Sequence, residues 1–201
     1  WALATAVPFS LALSHPAVFV AGGVSIALVP RVWRSESQRA CVAFAAYNVA
    51  MLSAFALVFF ISTAPQIAAT TDEGIMKVYW AEAFPPVSKP IQFLVWLGAV
   101  HTGQMFAYPL GGADHGSGAL TFGCCVVGAV FLARQRRGVV LALCLAPFAV
   151  TFIAAAMHRY PYGGFARTSQ HLAPAICLLA GLGAARLIAR IRHESMQRRA
   201  L

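Results

Sequence analysis

Residues 40–62 read ACVAFAAYNVAMLSAFALVFFIS, an apolar run without a single charged side chain. A helix needs roughly 20 such residues to cross the hydrocarbon layer of a bilayer. A spanning β-strand would instead alternate polar and apolar residues over about ten positions, and no such alternation is present. The run therefore predicts a transmembrane helix, and with it an all-α polytopic membrane protein.

The rest of the chain agrees. Of its 201 residues 60% are hydrophobic and only 10% are charged, whereas a soluble domain carries about a quarter charged residues. Further apolar runs at 16–30, 118–133, 139–157 and 170–189 bring the expectation to about five transmembrane helices. Run 16–30 follows His15-Pro16 and is expected to stop at Pro30-Arg31. Residues 1–13 read as the end of an earlier span, broken at Ser14-His15-Pro16. The chain opens at Trp1 inside an apolar stretch, without the basic segment and cleavage site of a signal peptide. Residues 1–201 are accordingly expected to be the C-terminal transmembrane portion of a larger chain.

Charge sets the orientation, because Lys and Arg concentrate in short cytoplasmic loops. Arg31, Arg34 and Arg39 fall in one connection, and Arg134, Arg136 and Arg137 in another. Arg186, Arg190, Arg192, Arg198 and Arg199 lie at the end of the chain. Placed together on the cytoplasmic side with Glu36 and Glu194, these groups carry the whole net charge of +9. The opposite side balances Lys77, Lys89, Arg159 and Arg167 against Asp72, Glu73, Glu82 and Asp114. The arginines next to spans thus answer to topology and anionic lipid headgroups, and no nucleic-acid partner is inferred from the basic charge. The expected location is the bacterial inner membrane, with the C-terminus cytoplasmic.

The two arginine connections share a side only if an even number of spans separates them. Run 40–62 is one, so just one of 91–109 and 118–133 should cross. The second is cleaner, which makes 91–109, with His101, Thr102, Gln104 and Trp96, an interfacial or re-entrant helix on the outer face. The alternative is that both cross and the 134–137 cluster lies outside. Segment 63–90 becomes an outer loop in either case.

Soluble-enzyme signatures are missing: no P-loop, no dinucleotide fingerprint, no zinc-protease or serine-hydrolase motif. AGLGAAR at 180–186 reads as close helix packing by small residues. PLGGADHGSG at 109–118 reads as a flexible outer loop. Cys41, Cys124, Cys125, Cys144 and Cys177 all fall in apolar runs, where a thiol behaves as a small hydrophobe, and no metal-ligating spacing links them. The dense exception is HRYPYGGFARTSQH, residues 158–171. An aromatic belt with a tight turn explains it. So does an anion site, in which Arg159, Arg167 and His171 face an outer-leaflet pocket with Tyr160 beside them.

The segments LSHPAVFVAGGVSIALV at 13–29, YWAEAFPP at 79–86 and MHRYPYGGFARTSQHLAPAICLLAGLG at 157–183, with the Arg-rich turns, occur in an order and spacing that resembles the C-terminal half of bacterial polytopic glycosyltransferases. The family is family 39, the protein-mannosyltransferase-like or RgtA/B/C/D-like group of the GT-C superfamily. The resemblance covers essentially the whole chain. It implies transfer of a sugar from a polyprenyl-phosphate donor to a lipid, glycan or protein acceptor at the outer face of the inner membrane. It further implies a catalytic carboxylate in an upstream outer loop and, in the full-length enzyme, a divalent metal in some cases. No acid of this chain matches that loop, so the catalytic residue is unassigned and no cofactor is identified. By the same resemblance, Arg159, Tyr160, Arg167 and His171 belong to the carrier-phosphate side of the cavity. A transporter or flippase, and a non-catalytic membrane protein, are the competing expectations. The transporter would call for charges at the bilayer midplane, and none falls at the centre of a span.

Overall fold

The structure, a computed structural model, describes residues 1–65, 80–107 and 116–199, with 192–199 as backbone only. Among the described residues seven α-helices follow one another: α1 (Ala2–Leu13), α2 (Ala17–Trp33), α3 (Gln38–Val58), α4 (Pro90–Thr102), α5 (Ser117–Arg134), α6 (Gly138–Ala156) and α7 (Ala173–Arg199). Short 3-10 turns occupy Ala81–Ala83, Gln104–Phe106 and Ala166–Leu172, and a π turn at Phe59–Thr63 extends α3. No strand occurs among the described residues. Much of the outer loop (66–79) and of the glycine-rich loop (108–115) lies outside the described residues, and with them Asp72, Glu73, Lys77, Asp114 and His115.

Among the described residues four segments are long and apolar enough to cross a membrane: Gln38–Thr63, Ser117–Arg134, Gly138–Ala156 and Ala166–Ile191. They match four of the five runs expected from sequence. The fifth, 16–30, forms α2, which continues through Pro30 to Trp33 and still has only 17 residues, about 25 Å of helix. Proline near the end of a helix removes one late hydrogen bond without ending it, and Arg34 N–H still reaches the Pro30 carbonyl at 3.3 Å. The outward side of α3 is apolar: Leu52, Leu57, Phe60 and Ile61 are 60–70% exposed. Such a surface requires a lipid environment or a partner rather than water. The pattern fits a helical membrane protein.

Two cores hold the bundle. One gathers Val7, Leu11, Ala21, Tyr47 and Met51 from α1, α2 and α3. The other gathers Cys125 and Leu132 of α5, Cys144 and Ala155 of α6, and Ile176, Leu179 and Ala180 of α7, with Val100 and Phe106 closing one end. Close backbone approach makes the second core possible. A Cβ on Gly128 would collide with the Leu179 carbonyl oxygen, and one on Gly183 with that of Cys124. Small residues let two helices touch in this way, as the reading of 180–186 anticipated. In α6, Pro147 fits where Gly23 of α2 leaves room, a Cβ there lying 2.7 Å from the proline ring. Hydrogen bonds add specificity between α2 and α3: Tyr47 donates to the Ala21 carbonyl at 2.8 Å, and Ser25 to Asn48 Oδ1 at 2.6 Å.

These contacts also fix helix directions. Residues 125, 128 and 131 of α5 meet residues 176, 179 and 186 of α7, so the two helices run parallel. Phe19 meets Tyr160 just beyond α6, while Gly23 meets Pro147 within it, so α2 and α6 run antiparallel. The 31–39 and 134–138 connections therefore lie at one end of the bundle. Arg186 and Arg190 of α7 join them there, Arg186 lying over the Phe131 ring at 4.1 Å. The other end carries the aromatic cluster of Phe84, Phe93, Trp96, Phe152, His158 and Tyr162.

Helix α4 is shorter than the run 91–109 expected from sequence, closing at Gly103. Its first half meets the final turns of α6, with Phe93 and Trp96 against Phe152. Its last residue meets the start of α5, where a Cβ on Gly118 would strike the Thr102 carbonyl. Both ends of α4 thus touch the aromatic end of the bundle.

Candidate functional site

Helix α6 stops at His158, which takes φ 54°. His158 N–H then bonds the Ala155 carbonyl at 2.9 Å and Arg159 N–H the Ala154 carbonyl at 2.8 Å. This pair of bonds satisfies the last carbonyls of a helix and turns the chain sharply. The imidazole of His158 lies flat on Phe84, centroids 5.1 Å apart. Beyond it, Gly163 and Gly164 take φ 73° and 74°. Side chains rarely adopt that geometry, and a Cβ on Gly163 would collide with Val100 Cγ1. Tyr162 N–H bonds the Ala83 carbonyl at 2.9 Å, stitching this turn to the turn at 81–83.

Four residues were singled out from sequence, and the structure divides them. Tyr160 and His171 meet across Phe19 of α2, whose ring lies 4.7 Å from Tyr160 and 5.4 Å from His171. Tyr160 donates to the Thr168 carbonyl at 2.9 Å, and burial pushes its phenol up to about 12. Thr151 Oγ1 donates to the Pro147 carbonyl at 2.7 Å and lies 3.0 Å from His171 Nε2. A hydroxyl has one proton to give, so with Thr151 bonded to Pro147 the tautomer that completes the pair carries its proton on His171 Nε2. His171 Nδ1 is then a buried acceptor without a hydrogen-bond partner. Arg167 is exposed and lies over two rings, 5.8 Å from Trp80 and 5.9 Å from Phe165. Arg159 is also exposed, and its guanidinium takes part in no hydrogen bond, ion pair or ring contact among the described residues.

A second polar cluster lies alongside. His101 Nδ1 donates to the Leu97 carbonyl at 2.8 Å, which leaves Nε2 to accept from Tyr162 at 3.2 Å. Burial lowers the His101 pKa, with the Leu97 bond pulling the other way, and burial raises that of Tyr162. The pair borders a cavity of about 170 Å³ lined by Phe106, Phe122, Cys125 and Phe148. Sequence reasoning noted His101 as one polar residue in an apolar run. It missed the pairing with Tyr162, which spans 61 positions and leaves no periodic trace.

All five cysteines are free, Cys125 and Cys144 buried in the core. Among the described residues no three His, Cys, Asp or Glu side chains converge to hold a metal ion.

The three segments behind the sequence resemblance converge here. Phe19 of 13–29 packs on Tyr160 of 157–183, and Ala83 and Phe84 of 79–86 hold Tyr162 and His158 of the same stretch. No protein-family model matches the chain, and no curated protein or solved structure matches it.

Proposed function

We propose that the chain forms the carrier-lipid side of a membrane-embedded glycosyltransferase that takes its sugar from a polyprenyl-phosphate donor at the outer face of the inner membrane. The supporting observation is the convergence just described. Segments 14–19, 80–85 and 158–171 build one rigid aromatic end that leaves two guanidinium groups, Arg159 and Arg167, at the surface.

In this reading the two arginines engage the carrier phosphate. Arginine matches phosphate oxygens with forked hydrogen bonds. As the acceptor oxygen attacks the anomeric carbon, the bond to phosphate oxygen breaks and that oxygen keeps the electron pair. Cations stabilise the growing charge, and a carboxylate base takes the acceptor proton. That base is assigned to no residue of this chain. Tyr160 and His171 act as supports, because their polar atoms already face Thr168 and Thr151. Helix α4 lies in the outer interface and covers the site, α2 completes a fifth crossing, and the arginine end is cytoplasmic. A transporter is less well supported: in the four long apolar segments the described charged side chains occupy the ends, as with Arg39, Arg134, Arg167 and Arg186.

The test is sugar transfer by the full-length protein reconstituted in vesicles, measured against donor concentration. Arg159→Gln and Arg167→Gln are each expected to raise the donor KM about tenfold, the scale of one charge-assisted hydrogen bond, with expression unchanged. Donor kinetics unaltered in both variants would return the turn to a purely topological role.

A further inference from the structure

A groove of about 400 Å³ opens between the turn at 81–83, α4 and the glycine turn, lined by Glu82, Trp96, Ala99, Val100, Gly103, Gln104 and Gly164. That volume lies within the range of small-ligand sites. Its chemistry is unusual for this chain. Among the acids whose side chains are described, Glu36 lies at the arginine end and Glu82 at the aromatic end. Glu82 and Gln104 are both exposed, and neither side chain has a hydrogen bond or ion pair among the described residues.

An exposed acid on a turn ordinarily needs no explanation, but this turn is held from two sides. Trp96 Nε1–H donates to the Glu82 carbonyl at 2.7 Å, and Tyr162 N–H donates to the next carbonyl, Ala83, at 2.9 Å. The Glu82 carboxylate is thus carried on a backbone fixed by α4 and by the glycine turn together. Gly103 and Gly164 add no side chain to the groove. Gly164 takes φ 74°, and a Cβ there would press within 3.1 Å of Ala83 Cβ.

We infer that this groove binds a neutral polyhydroxylated ring, the sugar of a glycan acceptor. The assignment to the acceptor rests on the glycosyltransferase reading; binding of a saccharide does not. A carboxylate accepts two hydroxyl protons, a carboxamide both donates and accepts, and the Trp96 indole offers an apolar wall to the C–H face of a ring. A phosphate is disfavoured, since Glu82 repels it. The cationic Arg167 lies instead against Trp80, two positions before Glu82. Donor phosphate and acceptor sugar are thereby offered neighbouring surfaces of opposite sign.

The experiment is saturation-transfer NMR on the purified chain in a detergent without a sugar headgroup. The probes are the methyl glycosides of mannose, glucose and galactose, with N-acetyl-lysine amide as a cationic control. Transfer to the ring protons of at least one glycoside is expected. Glu82→Ala and Gln104→Ala should each weaken it about tenfold, with an unchanged melting temperature. Glu82→Gln, which keeps the acceptor and loses the charge, should weaken it only a few-fold. No transfer to any glycoside overturns the inference, as does transfer unchanged by both alanine variants. Transfer to the lysine amide alone, abolished by Glu82→Gln, makes the groove a cation site and overturns it as well. The donor plays no part in this measurement, so its failure is separable from failure of the arginine test above.

Discussion

The turn from α5 into α6 and the turn out of α6 leave their helices through the same geometry, each using a left-handed residue that is not glycine. Arg136 takes φ 53° and His158 φ 54°. Each is followed by a residue whose N–H reaches back five positions, Arg137 to Leu132 at 2.9 Å and Arg159 to Ala154 at 2.8 Å. From there the two connections diverge. The first enters α6 at once, with Arg134, Arg136 and Arg137 all exposed. The second runs through the glycine turn and the 166–172 turn, hydrogen-bonded to Ala83 and Thr151 and packed on Phe19 on the way. Identical helix stops thus serve two kinds of charge. The first turn carries its arginines on a short exposed link; the second carries Arg159 and Arg167 on a connection tied to neighbouring elements.

The largest expected difference between the two turns comes from adding a methyl group. Gly163→Ala puts a side chain at φ 73° and drives it into Val100, itself buried. Left-handed strain and overpacking together should cost about 2–4 kcal/mol. Gly138→Ala, at the start of α6, meets nothing within 4 Å and should change stability by less than about 1 kcal/mol, in the stabilising direction. Thermal unfolding in detergent reads both. Equal melting temperatures would erase the distinction between a framework and a simple linker.

The next difference is in pH response. Arginine stays protonated throughout the accessible range, so the first turn contributes no slope. His101, beside the second, has a pKa lowered by burial. The unfolded state therefore takes up the proton first, below about pH 6.5, and stability falls as pH drops from there toward the folded value. Melting temperatures between pH 7.5 and 5.5 should decline less steeply in His101→Phe than in the parent. Parallel slopes would mean that His101 is not held neutral.

The spans were legible because hydropathy is a local property. Runs 118–133 and 139–157 differ from α5 and α6 by one residue at each end. The shared end of the two arginine connections was legible as well, since their clustering in short loops needs only the positions of the charges. The length of α4 was not. Apolar residues continue past Gly103, but the helix closes there and the chain turns through Gln104–Phe106. For the candidate site, the sequence marked 158–171 as a cluster and could not divide it. What separates Arg159 and Arg167 from Tyr160 and His171 is contact with Phe19, Trp80 and Thr151. Those contacts cross 20 to 152 positions and follow no repeat. Glu82 entered the sequence reading as one acid balancing outer charge and one that matches no catalytic motif, not as part of a binding groove. Its fixed backbone depends on Trp96 and Tyr162, one of them 80 residues away.

The smallest difference is the most direct test of whether the framework contributes energy. Replacing a left-handed residue by glycine relieves about 1–2 kcal/mol of strain and returns roughly 0.4–1 kcal/mol to the unfolded chain as entropy. Arg136→Gly has nothing else to lose and should stabilise by about 0.5–1 kcal/mol. His158→Gly has the same gain at the backbone but gives up the stack on Phe84, an aromatic contact worth about 0.5–1.5 kcal/mol. Its net effect should be close to zero. Melting curves for Arg136→Gly, His158→Gly and the double variant separate the two terms, because the sites are at opposite ends of α6 and their effects should add. Equal stabilisation by both single variants would show that the Phe84 stack contributes nothing. The second turn would then be held by its glycines and hydrogen bonds alone, and the rigidity that presents Arg159 would have to come from Tyr160 and Tyr162 rather than from His158.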